Sequence, residues 1–261
     1  MAIYITSCLP STIPSYSDLL RHLEFDALQD TLWLTGNMFD GLQPDALFEN
    51  FTFLSSLKKS LVSVLGLQEI KLLSYADGFT PAELGEDEIA LFDAIINHTN
   101  ASDLLKWLRN LPIMHHDKKI NMLMVHAGLP PEWSMSQVCT FALEIETALS
   151  FGNHKALFEN IQSKPQRRWN AKLQGWKRLH FILTAFTRIK KCNEKGYMDF
   201  TSIQANAGAQ DYMPWYQYSR TGTNLVFDHR SWEVEQHRAH VFPLKENMLL
   251  KITDSVEMIQ L

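Results

Sequence analysis

The chain has 261 residues, of which 46% are hydrophobic and 20% charged, so it can bury a large core and form one large domain or two small ones. Its formal net charge of −5 and its pI near 6.1 argue against general affinity for nucleic acid or for an anionic membrane. Three scattered cysteines, Cys8, Cys139 and Cys192, lack metal-type spacing and are too few for a disulfide framework, which favours a reducing compartment.

The N-terminal third alternates short strand patterns with helical patterns. Strands are predicted at residues 2–6, 31–35 and 61–65, and helices begin near Ser15 and Pro44. A β-α-β-α-β unit of this kind forms a parallel sheet, so its turns at residues 7–11, 36–42 and 66–69 are expected to line up at one edge. The chain shows no basic leader and no run of roughly 18 apolar residues, which predicts a cytoplasmic protein without a membrane span.

The rest of the chain is predicted to alternate helical and β-rich segments. An acidic loop and helices at 87–96 and 102–110 indicate a helical cap over about residues 77–111, the second helix being preceded by a capping-type run at Asn100. A hairpin at 112–116 and 120–125 leads into a helical segment over about 134–191. Short strands follow at 223–227, 239–242, 248–252 and 256–261. The prediction is a single α/β (α+β) domain over 1–261, with two β-rich layers covered by helices.

The stretch from 122 to 133, MLMVHAGLPPEW, presents a histidine at the end of a strand. Four apolar residues run into His126 and Gly128, after which two prolines forbid continuation of the strand. Open α/β sheets place their ligands at such strand ends. A lone histidine at this position is either a ligand or a residue whose imidazole bonds a nearby carbonyl, and the residues alone leave both interpretations open.

One basic segment interrupts the acidic composition. From residue 164 to 191 it contains nine Lys and Arg residues and no Asp or Glu: Lys164, Arg167, Arg168, Lys172, Lys177, Arg178, Arg188, Lys190 and Lys191. Three interpretations remain open: contact with a polyphosphate, binding of single-stranded nucleic acid with bases stacked on Trp169 and Trp176, or a solvated helix face.

Five segments in order carry a resemblance to the symmetrical diadenosine tetraphosphatases, a branch of the calcineurin-like metallophosphoesterases. They are TLWLTG (31–36), LLKWLRNLP (104–112), MLMVHAGLPPEW (122–133), RLHFILTAFTR (178–188) and PWY (214–216). The resemblance implies a four-layer αββα sandwich with a two-metal site at the loops between the sheets. It also implies hydrolysis of diadenosine tetraphosphate to two molecules of ADP, which needs a bridging carboxylate with histidine and amide ligands.

The chain departs from the family at three metal motifs. Against GDxHG it has Ser7-Cys8-Leu9-Pro10-Ser11, so aspartate is replaced by Cys8 and histidine by Pro10. Against GDxVxRG it has Asn37 in place of the aspartate that bridges the two metals in the family, and the family's phosphate-binding arginine is absent. Against GNHD or GNHE it has Gly66-Leu67-Gln68-Glu69, so Leu67 and Gln68 replace the asparagine ligand and the histidine acid.

Some functional positions of the family are retained. The resemblance implies that His126 and His229 are ligands of one and the same metal, which allows at most one divalent ion such as manganese, cobalt or zinc, and favours no cofactor. It further implies that Arg188, with Lys190 and Lys191, contacts the polyphosphate.

These observations lead to three hypotheses. The first is a pseudoenzyme that has lost catalytic residues and binds a dinucleoside polyphosphate, another nucleotide or a protein partner. The alternative is an active hydrolase of diadenosine tetraphosphate or another phosphoester with an altered metal site. A weaker alternative is nucleic-acid binding through the basic segment.

Overall fold

The computed structural model describes residues 1–200, 212–218, 221–228, 240–245 and 247–261. Its first sheet contains the predicted N-terminal unit. The elements of this part are β1 (Ile3–Thr6), α1 (Tyr16–His22), β2 (Thr31–Leu34), α2 (Pro44–Ser56) and β3 (Leu61–Ser63). β1, β2 and β3 are parallel neighbours, and β11 (Met248–Ile252) and β12 (Val256–Gln260) extend the sheet antiparallel beyond β1. The predicted parallel unit is confirmed.

A second sheet carries the predicted hairpin. It has the order β10 (Val241–Leu244), β9 (Asn224–Asp228), β5 (Met122–Val125) and β4 (Met114–Asp117). β4 pairs antiparallel with β5, whereas β5, β9 and β10 run parallel. His126 therefore follows the carboxyl end of β5, next to the end of β9.

The two sheets pack face to face. One buried cluster joins Ile5 and Trp33 of the first sheet to Met124 and Val226 of the second. Side chains point to alternate faces of a strand, and the alternate residues Leu32, Leu34, Leu123 and Val125 pack in a separate cluster with helical residues. Each sheet thus has one face on the other sheet and one on helices, which confirms the four-layer αββα sandwich.

Helices form the outer layers. Besides α1 and α2 they are α3 (Leu67–Ala76), α4 (Glu86–Ile96), α5 (Ala101–Arg109), α6 (Met135–Ser150), α7 (His154–Asn160) and α8 (Gly175–Arg188). No helix in the part of the chain that the structure describes has the length and apolar character needed to cross a bilayer.

Three local predictions were wrong. The residues after Gly66 form α3, whereas the sequence indicated a turn and an acidic loop there. Asn100 makes no side-chain capping bond to α5. The last predicted helix, which was expected to continue to residue 191, ends at Arg188 because Ile189 is extended (φ −64°, ψ 126°). The chain then enters β6 (Lys191–Cys192). This strand pairs with β7 (Met198–Asp199) and β8 (Met213–Pro214) in a third, small sheet.

Candidate functional site

The strand ends and the end of α8 enclose a cavity of about 860 Å³. Seven of the residues singled out in the sequence line it: Cys8, Pro10, Asn37, Leu67, His126, Arg188 and Lys190. The turns after β1, β2 and β3 therefore meet at one edge, as the parallel unit predicts. Gln68 lines a neighbouring cavity of about 80 Å³, Lys191 lies on β6, and His229 is outside the described residues.

His126 is held rigidly at the floor of the large cavity. Its side chain is buried, and its Nδ1 lies 2.7 Å from the carbonyl oxygen of Thr35. A carbonyl oxygen only accepts, so Nδ1 donates in this bond, and in the neutral imidazole Nε2 is then the acceptor. The His126 carbonyl accepts from the backbone N–H of Asp228 at 2.9 Å, which ties the ends of β5 and β9 together. Both sequence interpretations of His126 are therefore compatible with its position.

Glu69 joins the second and third turns. Its buried carboxylate accepts the backbone N–H groups of Asn37 at 2.8 Å, Met38 at 2.9 Å and Gly66 at 2.8 Å. The side-chain oxygen of Asn37 accepts in turn from the backbone N–H of Gln68 at 2.9 Å. We call these four hydrogen bonds the Glu69 clasp. They tie the turns after β2 and β3 to each other in the cavity wall.

The charge of Glu69 is set by two opposing influences. Burial raises the pKa of Glu69 above that of an ordinary glutamic acid, and the N–H donors of Asn37 and Gly66, together with the nearby His126, act against this rise. Sequence reasoning gave Glu69 no role, although its place at the end of the GNHE-like motif was a signal.

Two cations and three carboxylates line the cavity. Nη1 of Arg188 donates to both carboxylate oxygens of Glu83, at 2.6 and 2.7 Å. Glu83 is 58% exposed and was not singled out in the sequence. Lys190 is half-buried; burial lowers its pKa, and the negative charges of Asp228 and Asp199 act in the opposite direction. Asp40 and Asp228 are the other lining carboxylates.

The described residues do not fit the two-metal centre that the fold family implies. Pro10 and Leu67 offer no donor atom, and the Asn37 oxygen that would replace a bridging carboxylate is neutral and already accepts from Gln68. Within residues 1–200 and the shorter described stretches, no three His, Cys, Asp or Glu side chains are grouped so as to hold a metal ion. A single ion at His126 and His229 stays a prediction, because His229 is outside those stretches.

Part of the basic segment makes contacts within the protein, although Lys164, Arg167, Arg168, Lys172 and Lys177 are exposed. Arg178 binds both carboxylate oxygens of Glu144 at 2.7 Å. Its guanidinium also lies 5.2 Å from the ring centroid of Trp169, which packs edge-on against Trp133 at 5.4 Å. Trp169 thus belongs to a cluster of aromatic residues, whereas Trp176 is 36% exposed.

Comparison with known proteins identifies relatives over most of the chain. No family model matches it. A protein of Thioalkalivibrio sulfidiphilus named symmetrical bis(5'-nucleosyl)-tetraphosphatase is 32% identical, over 88% of this chain and 85% of the relative. A protein of the same name from Nitrosococcus oceani is 30% identical over 94% of this chain and 88% of its own length. A solved structure described as a candidate diadenosine tetraphosphatase matches 99% of this chain and 92% of its own, with a TM-score of 0.58 at 19% identity; this likeness concerns the fold.

Proposed function

Because the chain belongs to the family of symmetrical bis(5'-nucleosyl)-tetraphosphatases, we propose that its large cavity binds a bis(5'-nucleosyl) tetraphosphate. The observation that carries the proposal is the cavity of about 860 Å³ in which the turns matching the family's motifs meet Arg188 and Lys190. A cavity of this size is within the range that holds small-molecule ligands.

We assign the phosphate contacts to the carboxyl end of α8 and the residues after it. Arg188 and Lys190 line the cavity and can make charge-assisted hydrogen bonds to phosphate oxygens. Lys191, on β6, is assigned a supporting electrostatic role, because it is not among the lining residues. Glu83 competes with the ligand for Arg188.

Hydrolysis of the bound tetraphosphate is the first candidate activity. The relatives at 30–32% identity are named as tetraphosphatases, and this favours the hydrolase hypothesis over the pseudoenzyme hypothesis. An active site in this chain would depend on His126, which lines the cavity, together with His229.

Binding without turnover is the second candidate, and one observation favours it. The positions at which the family resemblance implies metal ligands or a proton donor are occupied by Cys8, Pro10, Asn37, Leu67 and Gln68. Among the described residues, no three His, Cys, Asp or Glu side chains are grouped so as to hold a metal ion. In this candidate the cavity retains a dinucleoside polyphosphate, and the complex acts through binding.

An activity assay separates the two candidates. Purified chain is incubated with diadenosine tetraphosphate and manganese, cobalt or magnesium, next to the Thioalkalivibrio sulfidiphilus relative, a His126→Ala variant and a His229→Ala variant. Release of ADP that both variants lose supports hydrolysis at this site. Turnover no higher than that of the variants, with the relative active, supports binding without turnover.

Further assignments rest on the sequence. We propose a single domain over 1–261 with a cap at about 77–111, from which Glu83 reaches the cavity, and a helical segment at about 134–191. We also propose a cytoplasmic location. Nucleic-acid binding by the basic segment would require a salt-sensitive affinity that charge reversal at Arg167 and Arg168 abolishes.

A further inference from the structure

We infer that the large cavity binds polyphosphate without a divalent cation, with Lys190 and Arg188 supplying the positive charge. This inference rests on the proposed function, since it concerns the same cavity and the same ligand class. It comes from the mismatch between the residues of this site and the metal pair that the fold family implies.

The donor set around the cavity does not suit a metal pair. A pair of divalent ions needs a carboxylate between them and further nitrogen and oxygen ligands. Here the bridging position is Asn37, whose oxygen is occupied in the Glu69 clasp at 2.9 Å from the Gln68 nitrogen. The clasp also uses both carboxylate oxygens of Glu69 for backbone N–H groups, so this carboxylate is not free to turn towards an ion.

The same replacements change the charge of the cavity in favour of an anion. The family resemblance implies aspartates at positions 8 and 37, and without their metals these would repel a polyphosphate. Cys8 and Asn37 are the residues present, so two negative charges are removed together with the metal ligands. A cavity with fewer carboxylates needs less added positive charge before a polyphosphate can enter.

Lys190 is positioned to provide part of that charge. It is half-buried on the cavity wall, and its backbone carbonyl accepts from the backbone N–H of the buried Trp215 at 3.2 Å. Asp199 and Asp228 interact electrostatically with its ammonium group. A charge that is partly removed from water acts more strongly on a nearby anion than an exposed one does.

Arg188 is a second cation that the ligand can recruit. Its partner Glu83 is 58% exposed, and exposed ion pairs contribute little to stability because water and salt compete with them. A phosphate can therefore replace the Glu83 carboxylate at a small energetic cost. The two cations are two residues apart in sequence, at the end of α8, and both line the cavity.

The test is calorimetric titration of the full chain with diadenosine tetraphosphate, once with EDTA and once with manganese. Lys190→Gln removes the positive charge of residue 190, and Lys190→Arg keeps it. Lys177→Gln is the matched control, because Lys177 is an exposed lysine on α8 that does not line the cavity. A melting curve of each variant verifies that it is folded. We expect binding in EDTA, weakened on the order of tenfold by Lys190→Gln because a hydrogen bond to a charged group is lost. Lys190→Arg and Lys177→Gln should bind nearly as the unaltered chain does.

Three results contradict the inference, each in a different way. Binding that requires manganese and vanishes in EDTA refutes metal independence and leaves the proposed function standing. The absence of binding under both conditions refutes the proposed function together with the inference. Binding in EDTA that Lys190→Gln and Lys177→Gln weaken equally would refute the role of Lys190.

Discussion

Substitution of Gly36 by alanine tests how closely the turns of the site pack. Gly36 has a φ of +91°, and a Cβ built on it would lie 2.6 Å from the backbone nitrogen of Gly66 and 3.0 Å from Nδ1 of His126. Gly41 is a matched control, because it has a similar φ of +77° and a Cβ there would have no neighbour within 4 Å. The two substitutions share the backbone penalty and differ in the steric overlap.

The expected magnitudes follow from that difference. An alanine in the left-handed region costs about 1–2 kcal/mol at either position. Overpacking a tight site adds about 1–3 kcal/mol at Gly36 alone, because the Gly66 backbone is held in the Glu69 clasp and cannot easily move. Urea denaturation at pH 7 should therefore show a decrease in the free energy of unfolding of about 2–5 kcal/mol for Gly36→Ala and about 1–2 kcal/mol for Gly41→Ala. Equal losses in the two variants would refute the close approach of these turns.

Two further predictions concern the charges near α8. Glu83→Gln should tighten binding of diadenosine tetraphosphate about two- to fivefold in calorimetry, because it frees Arg188 from an exposed ion pair worth up to about 1 kcal/mol. The control Glu86→Gln, at another exposed glutamate, should show no such change. Unchanged or weaker binding by Glu83→Gln would contradict the competition between Glu83 and the ligand for Arg188. Burial lowers the pKa of His180 to about 4, with the charge of Arg188 acting in the same direction. The unfolded chain, whose histidines titrate near the ordinary value of 6.5, therefore binds more protons below that pH, and the native state loses stability as the pH falls from 6.5 towards 4. His180→Gln should reduce the loss between pH 7 and pH 5 by on the order of 1 kcal/mol after allowance for solvent screening, and identical pH profiles in urea would refute the assignment.

The strands and helices that the sequence predicts best are those with a clear local period. β1 and β2 were predicted to within one residue at each end, because apolar strand residues run up to turn residues, and Pro14-Ser15 or Pro44 opens the next helix. α3 was missed although Ile70 and Leu73 recur at helical spacing. The glycine before it and the acidic residues after it are typical of a loop. In the structure Glu69 is the third residue of the helix and accepts from the backbone N–H of Gly66, a contact typical of a helix start.

The small third sheet could not be predicted from local pattern. β6, β7 and β8 have two residues each, which is too short to show an alternation of period two. Lys191 continues the helical pattern of α8 in the sequence, but in the structure it pairs with Asp199 and Pro214. Tertiary pairing therefore decided where the helix ends.

The site was predictable as a set of positions but not as a network of bonds. The family resemblance brings Cys8, Asn37, His126 and Arg188 to one place, and the structure puts all four on the cavity wall. Glu83, which pairs with Arg188, is 105 residues away in the chain. It lies in a loop whose sequence gives no indication of this ion pair.

The Glu69 clasp explains how the shape of such a site can be kept while its metal ligands are replaced. In a site held together by ions, each lost ligand loosens the turns that carry the others. Here three backbone N–H groups of two different turns converge on one buried carboxylate, and removing that carboxylate would leave buried donors without acceptors. The bond from the backbone nitrogen of residue 37 to Glu69 does not involve the side chain at that position, so this link between the turns requires neither aspartate nor asparagine there.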